Sequence, residues 1–129
     1  MKVAVPVSGK NNTVFIRTGR APLFAIYSID GNQFRFVRHE KNPNAGKHHH
    51  HGGPKPEHTD EHHINSHVHH LRVIEDCDAL LAVAVGPNMK KALNRLNIEH
   101  VKFKKKDGER AEDLVRNFID MREMDSQNE

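Results

Sequence analysis

EDCDALLAVAVGPNMKKALNRLNIE, residues 75–99, sets strand, turn, helix and the start of a second strand end to end. ALLAVAV (79–85) is an unbroken apolar run, short for a helix and lacking the alternation of a half-exposed strand. It reads as a central strand covered on both faces. Gly86-Pro87-Asn88 closes it and opens a helix over 89–97, in which Ala92, Leu93 and Leu96 share the apolar side. IEHVKF (98–103) follows as a strand. A strand, a helix and a strand in succession make a right-handed crossover, which sets the two strands parallel.

Working outward, KVAVPVS (2–8) is a β-branched strand ended by Ser8-Gly9, with Pro6 pointing to an edge or a bulge. TVFI (13–16) reads as a short strand, and IRTGRAP makes a Gly/Pro turn before LFAIYSID (23–30). Gly31-Asn32 connects that strand to QFRFVRHE (33–40) as a two-residue hairpin. Residues 41–58 have no periodicity and form a long exposed loop. Thr59 or Asp60 caps a helix over 60–75, where Ile64, Val68 and Leu71 recur at helical spacing. Asp107 or Gly108 starts a last helix with Ala111, Leu114, Val115 and Phe118 inward. Residues 124–129 form a tail.

The order β-β-β-α-β-α-β-α gives one α/β domain over residues 1–123. The expected architecture is a ribonuclease-H-like, mixed five-stranded sheet flanked by helices on both faces, with the strands at 2–8, 79–85 and 98–103 parallel.

The chain has 129 residues, 36% of them hydrophobic and 29% charged, enough for a single core. The lone Cys77 excludes an intramolecular disulfide and suits a reducing compartment. No run approaches the length of a membrane span, and MKVAVPVSG holds too short an apolar run for a signal peptide, so a cytoplasmic protein is expected. A net charge of +3 is modest. The basic run Lys102–Lys106 reads as a solvated strand end before it reads as a nucleic-acid patch, and nucleic-acid binding is kept as a third reading only.

All but His39 and His100 of the twelve histidines fall within residues 48–70. Neutral imidazole ligates zinc, nickel, copper and iron. His63, His67 and His70 fall on one helical stripe, and His62 with His69 on a second that faces solvent. His58 joins His62 if the helix begins early. His48, His49, His50 and His51 lie where a loop could close over an ion held by the stripe. The alternative is a polar low-complexity insertion without ligand geometry.

Cys77 reads as a small buried thiol or as a thiolate ligand. Arg17 and Arg20 flank Gly19 in a turn that suits an anion, or they are plain surface charges. Gly86 and Asn88 lie at the C-terminal sheet edge, where α/β folds tend to bind ligands, and match no phosphate-loop pattern. Met89 is a soft donor or packing. A nuclease of this fold class needs carboxylates on the first and central strands, and neither run contains one.

MKVAVPVSG, TGRAPLFAIYSID and EDCDALLAVAVGPNMKKALNRLNIE, with a His/Gly-rich loop between, resemble the dinitrogenase iron–molybdenum cofactor biosynthesis family over about residues 1–120. The resemblance implies the fold and a non-catalytic protein that binds or carries an iron–sulfur cluster or an iron–molybdenum cofactor precursor, with a protein partner in cofactor assembly. Family members commonly carry His-Phe-Gly-Arg-Ala-Pro before the second strand, with that His a ligand. Here Gly19, Arg20, Ala21 and Pro22 match and Arg17 stands at the His position. The expected function is therefore carriage or storage of a metal ion or cluster through the His-rich loop and helix. The alternatives are a regulatory or protein-interaction module, or zinc, nickel or copper handling unrelated to cofactor assembly.

Overall fold

The computed structural model describes residues 1–46 and 60–127. Its strands are β1 (Lys2–Val7), β2 (Leu23–Asp30), β3 (Gln33–Lys41), β4 (Ala79–Ala82) and β5 (Glu99–Lys102). They form one sheet in the order β3-β2-β1-β4-β5. β1, β4 and β5 are parallel, while β2 is antiparallel to both its neighbours. The helices are α1 (Asp60–Leu71), α2 (Pro87–Arg95) and α3 (Ala111–Gln127). Among the described residues no helix is long and apolar enough to cross a membrane.

Alternation along the strands sorts the core into two layers. Val3, Val5, Val7, Ala79 and Leu81 pack on Leu114, Val115 and Phe118 of α3. Ala4, Leu80 and Ala82 pack on Ile64 and Leu71 of α1 and on Ala92 and Leu93 of α2. Every residue of β4 is fully buried, which is why its sequence shows no polar face. Each buried leucine there contributes about 1.5–3 kcal/mol of transfer free energy. On the outer surface Arg95 of α2 reaches Glu61 and Asn65 of α1.

Several expectations change in detail. Pro6 is neither on an edge nor at a bulge, because β1 is the middle strand. Its carbonyl accepts from Phe15 N–H at 2.9 Å, on the side away from β2 and beyond the last residue paired to β4. No bond to β2 is lost there for want of an N–H. The bulge lies instead in β3, where the pairing slips between Ile26 and Tyr27. Residues 13–16 make isolated bridges, Val14 with Val7 and Thr13 with Arg110, rather than a strand. β4 ends at Ala82 instead of Val85, since Ala84 bridges to Arg17.

α1 stops at Leu71 and tightens into a 3₁₀ turn over Arg72–Ile74. α2 begins at Pro87, whose missing N–H is harmless in the first turn, and ends with Asn97 in the left-handed region at φ 60°. α3 begins at Ala111, after Gly108 rather than at it. A Cβ on Gly108 would lie 2.4 Å from that of Asp113, whose carboxylate accepts the Arg110 N–H. The helix then continues to Gln127, into the segment expected as tail.

Candidate functional site

The C-terminal edge of the parallel strands is built by a graft. Ala84 N–H donates to the Ile16 carbonyl and Thr18 N–H to the Ala84 carbonyl, each at 3.1 Å. The chain after β1 is thereby stitched to the chain after β4, and residues 18–20 curl into one 3₁₀ turn. Two asparagines hold that turn from the other side. Asn42, buried, donates its amide to the Thr18 carbonyl at 3.1 Å, and Asn44 donates to the Gly19 carbonyl at 2.9 Å. Asn44 Oδ1 lies 3.1 Å from His70 Nδ1, which ties α1 to the turn. With the Asn44 amide nitrogen spent on Gly19, the Asn44 Oδ1 is the acceptor and His70 Nδ1–H the donor in this contact.

Two grooves meet here. One, about 370 Å³, is lined by residues 17–20 and 84–86. The other, about 230 Å³, is lined by Gly19, His67 and residues 86–89. Gly19 and Gly86 belong to both. A Cβ at Gly19 would stand 3.4 Å from Asn44 Nδ2 and 3.7 Å from Met89 Cε, so the turn closes tightly on α2. At Gly86 a Cβ would meet nothing within 4 Å.

Arg17 and Arg20 are exposed and make no ion pair among the described residues. Gly86, the N-cap of α2, brings no side-chain cap, leaving the positive end of the helix dipole facing the groove mouth. Thr18 is wholly buried, and its Oγ1 has no partner among the described residues. His67 is half-buried, and its Nδ1 is likewise buried without a partner among the described residues. Burial first, then the neighbouring His70 and His63, hold the His67 ring below the ordinary histidine pKa. It is neutral near pH 7 and can lend a lone pair or a proton. Two cationic side chains, a helix start, a hydroxyl and an imidazole together suit an anionic group that carries a metal.

The sequence-derived residues Arg17, Gly19, Arg20, Gly86, Asn88 and His67 are thus brought together. Cys77 is not. It precedes β4, whereas Gly86 follows it, with about 13 Å of strand between at 3.3 Å per residue. The thiol is buried, and burial followed by the Asp76 charge pushes it up to about 12. His62 and His69 are exposed, as expected of the outer pair. His48, His49, His50, His51 and His58 lie outside the described residues. Among the described residues no three His, Cys, Asp or Glu side chains converge as a metal site, so His63, His67 and His70 do not make one by themselves.

Sequence reasoning missed Thr18, Asn42 and Asn44. The asparagines flank Pro43 just after a strand, a pattern typical of side chains that bond turns. Nothing in the sequence marks the Thr18 hydroxyl as unsatisfied. A second polar network was also missed: Tyr27 donates to Glu112, Asn12 donates to Tyr27 Oη at 3.0 Å, and His39 Nε2 meets Asn12 Oδ1 at 2.6 Å. It joins β2, β3 and α3 away from the grooves.

The mixed five-stranded sheet with its three helices defines a protein of the α/β class, with an arginine-flanked groove at the C-terminal sheet edge as its candidate site. The chain belongs to the dinitrogenase iron-molybdenum cofactor family, whose profile matches residues 1–121. No curated protein matches it. Its fold is similar to that of the apo orange protein from Desulfovibrio gigas, with 20% identity, a TM-score of 0.63, and coverage of 92% of this chain and 87% of that one. It is also similar to a putative NifB protein from Thermotoga, with 25% identity, a TM-score of 0.59 and coverage of 92% and 87%.

Proposed function

We propose that the protein carries, without transforming it, an iron–sulfur cluster or iron–molybdenum cofactor precursor as cargo at the C-terminal edge of its sheet. The observation that carries this reading is the pair of partnerless buried atoms, Thr18 Oγ1 and His67 Nδ1, in residues that line adjoining grooves. More than nine in ten buried polar groups are satisfied in folded proteins, so two at one place favour a ligand that completes them. A metal–sulfide anion does so. His67 lends a lone pair to the metal, Thr18 donates to a sulfide or oxide, and Arg17 and Arg20 offset the charge. The family's usual ligand is a His at the position of Arg17, and α1 supplies the imidazole from another element.

The His-rich segment 48–58 is proposed as the first capture surface, on its sequence alone, binding near neutral pH and releasing below about pH 6 as imidazoles protonate. The strand order favours a ribonuclease-H-like reading of the sheet. The acids beside β4 do not favour catalysis. Asp76 pairs with Lys2 and Arg38, each at 3.1 Å, and Asp78 accepts the Lys2 N–H at 2.9 Å.

The test is anaerobic purification of untagged protein, followed by iron–sulfide reconstitution, metal and sulfide analysis, and a visible absorption spectrum. Iron with sulfide in the wild type, lost in Arg17→Ala/Arg20→Ala and in His67→Ala, is the expected result. A double arginine variant that loads as well as the wild type refutes the edge site. Zinc, nickel or copper without sulfide, unaffected by the arginines, would assign the chain to simple metal handling.

A further inference from the structure

A third groove, about 630 Å³, opens on the same sheet edge between residues 13–16 and the loop leading into α3. Its floor is aliphatic, from the half-buried Val14 and Ile16. Lys105 and Lys106 line it and are exposed, and they make no ion pair or hydrogen bond among the described residues. Lys102 and Lys104, also exposed, continue the positive charge beside it. Its walls are fixed in place: Val14 N–H donates to the Glu109 carbonyl at 2.8 Å, and Gly108 sits hard against Asp113. A preformed cleft with an apolar floor and unpaired cations at one side is complementary to a ligand that joins apolar and anionic groups. Among the described residues no aromatic ring lines the groove, so it offers no platform for base stacking.

The position adds the reason. Ile16 lines this groove and the next residue, Arg17, lines the cargo groove, so an occupant of one lies beside the other.

We infer that this groove docks a partner protein through a short segment that presents carboxylates around an aliphatic or aromatic side chain. The apolar side chain enters between Val14 and Ile16, and the carboxylates meet Lys105 and Lys106. The purpose of docking, to pass cargo across Arg17, rests on the function proposed above; the docking itself does not.

The experiment titrates the ¹⁵N-labelled full chain with acetyl-Glu-Asp-Leu-Phe-Asp-Glu-amide. The controls are the same peptide with Lys for each acid, the same peptide with Ser for Leu and Phe, and oligothymidylate. The expected result is amide shifts confined to residues 13–16 and 105–109, from the acidic apolar peptide alone. Lys105→Glu/Lys106→Glu, with an unchanged melting temperature, weakens binding by about tenfold or more, as charge reversal at a complementary rim requires. Arg17→Ala/Arg20→Ala leaves the peptide shifts intact while cargo loading falls, so the two proposals fail separately. No shift from the acidic peptide, equal shifts from the basic or serine peptide, or oligothymidylate shifting the same residues overturns the inference.

Discussion

Thr18 shows what one side chain contributes at this edge. Its carbonyl and N–H are satisfied by Asn42 and Ala84, but its hydroxyl is buried with no partner among the described residues. An unsatisfied buried polar atom costs about 1–3 kcal/mol, and a methyl in its place costs nothing of the kind. Thr18→Val should therefore leave the apo protein as stable or about 1 kcal/mol more stable, on that principle, while lowering cargo loading. Denaturant unfolding beside reconstitution reads both, and a destabilised variant would show a partner for the hydroxyl. His67 gives a pH dependence. Its folded pKa lies below the ordinary 6.5, so in the window between the two the unfolded chain binds more protons. Stability falls as pH drops through that window and levels off beneath it. His100, also lowered chiefly by burial, acts with the same sign. Melting temperatures from neutral to mildly acidic pH should fall less in His67→Gln than in the wild type. An unaltered slope would remove His67 from the account.

At the scale of elements, the site depends on β4 being short. A strand continued to Val85 would have kept Ala84 in the sheet ladder; instead Ala84 pairs with Ile16 and Thr18, and the turn at 18–20 is drawn over the start of α2. Gly86 at that junction has φ −67°, which any residue adopts, and open space where a Cβ would go. Gly86→Leu should therefore fold with a melting temperature near that of the wild type, yet fill the shared part of the two grooves and block cargo. A variant that loads normally would place the cargo elsewhere. Gly108 is the contrast, because there a Cβ has no room.

For the whole molecule, the sheet separates its chemistry by edge. Asp76, Asp78 and Cys77 gather before β4, where Asp76 pairs with Lys2 and Arg38. The arginine turn, the α2 start and the lysine groove gather after the parallel strands. Changing His48, His49, His50, His51 and His58 to Asn should lower uptake of free divalent metal while leaving the melting temperature and the peptide shifts unaltered. Metal titration of the variant checks this, and undiminished uptake would return the His tract to filler.

The sequence by itself determined the sheet and its covering. The unbroken run at 79–85, the Gly31-Asn32 turn and the helical spacing of Ile64, Val68 and Leu71 are local signals of burial and backbone geometry. Each survives because tertiary packing agrees with it. The candidate site was legible in part. Gly19, the arginines and Gly86 announced turns and charge, but Thr18, Asn42 and Asn44 act through bonds across the fold. The end of β4, the place of Pro6 in a middle strand and the separation of Cys77 from Gly86 were decided by which backbone groups find partners far along the chain. A hydrogen bond between residues sixty-odd positions apart has no sequence period, so only the tertiary structure could set it.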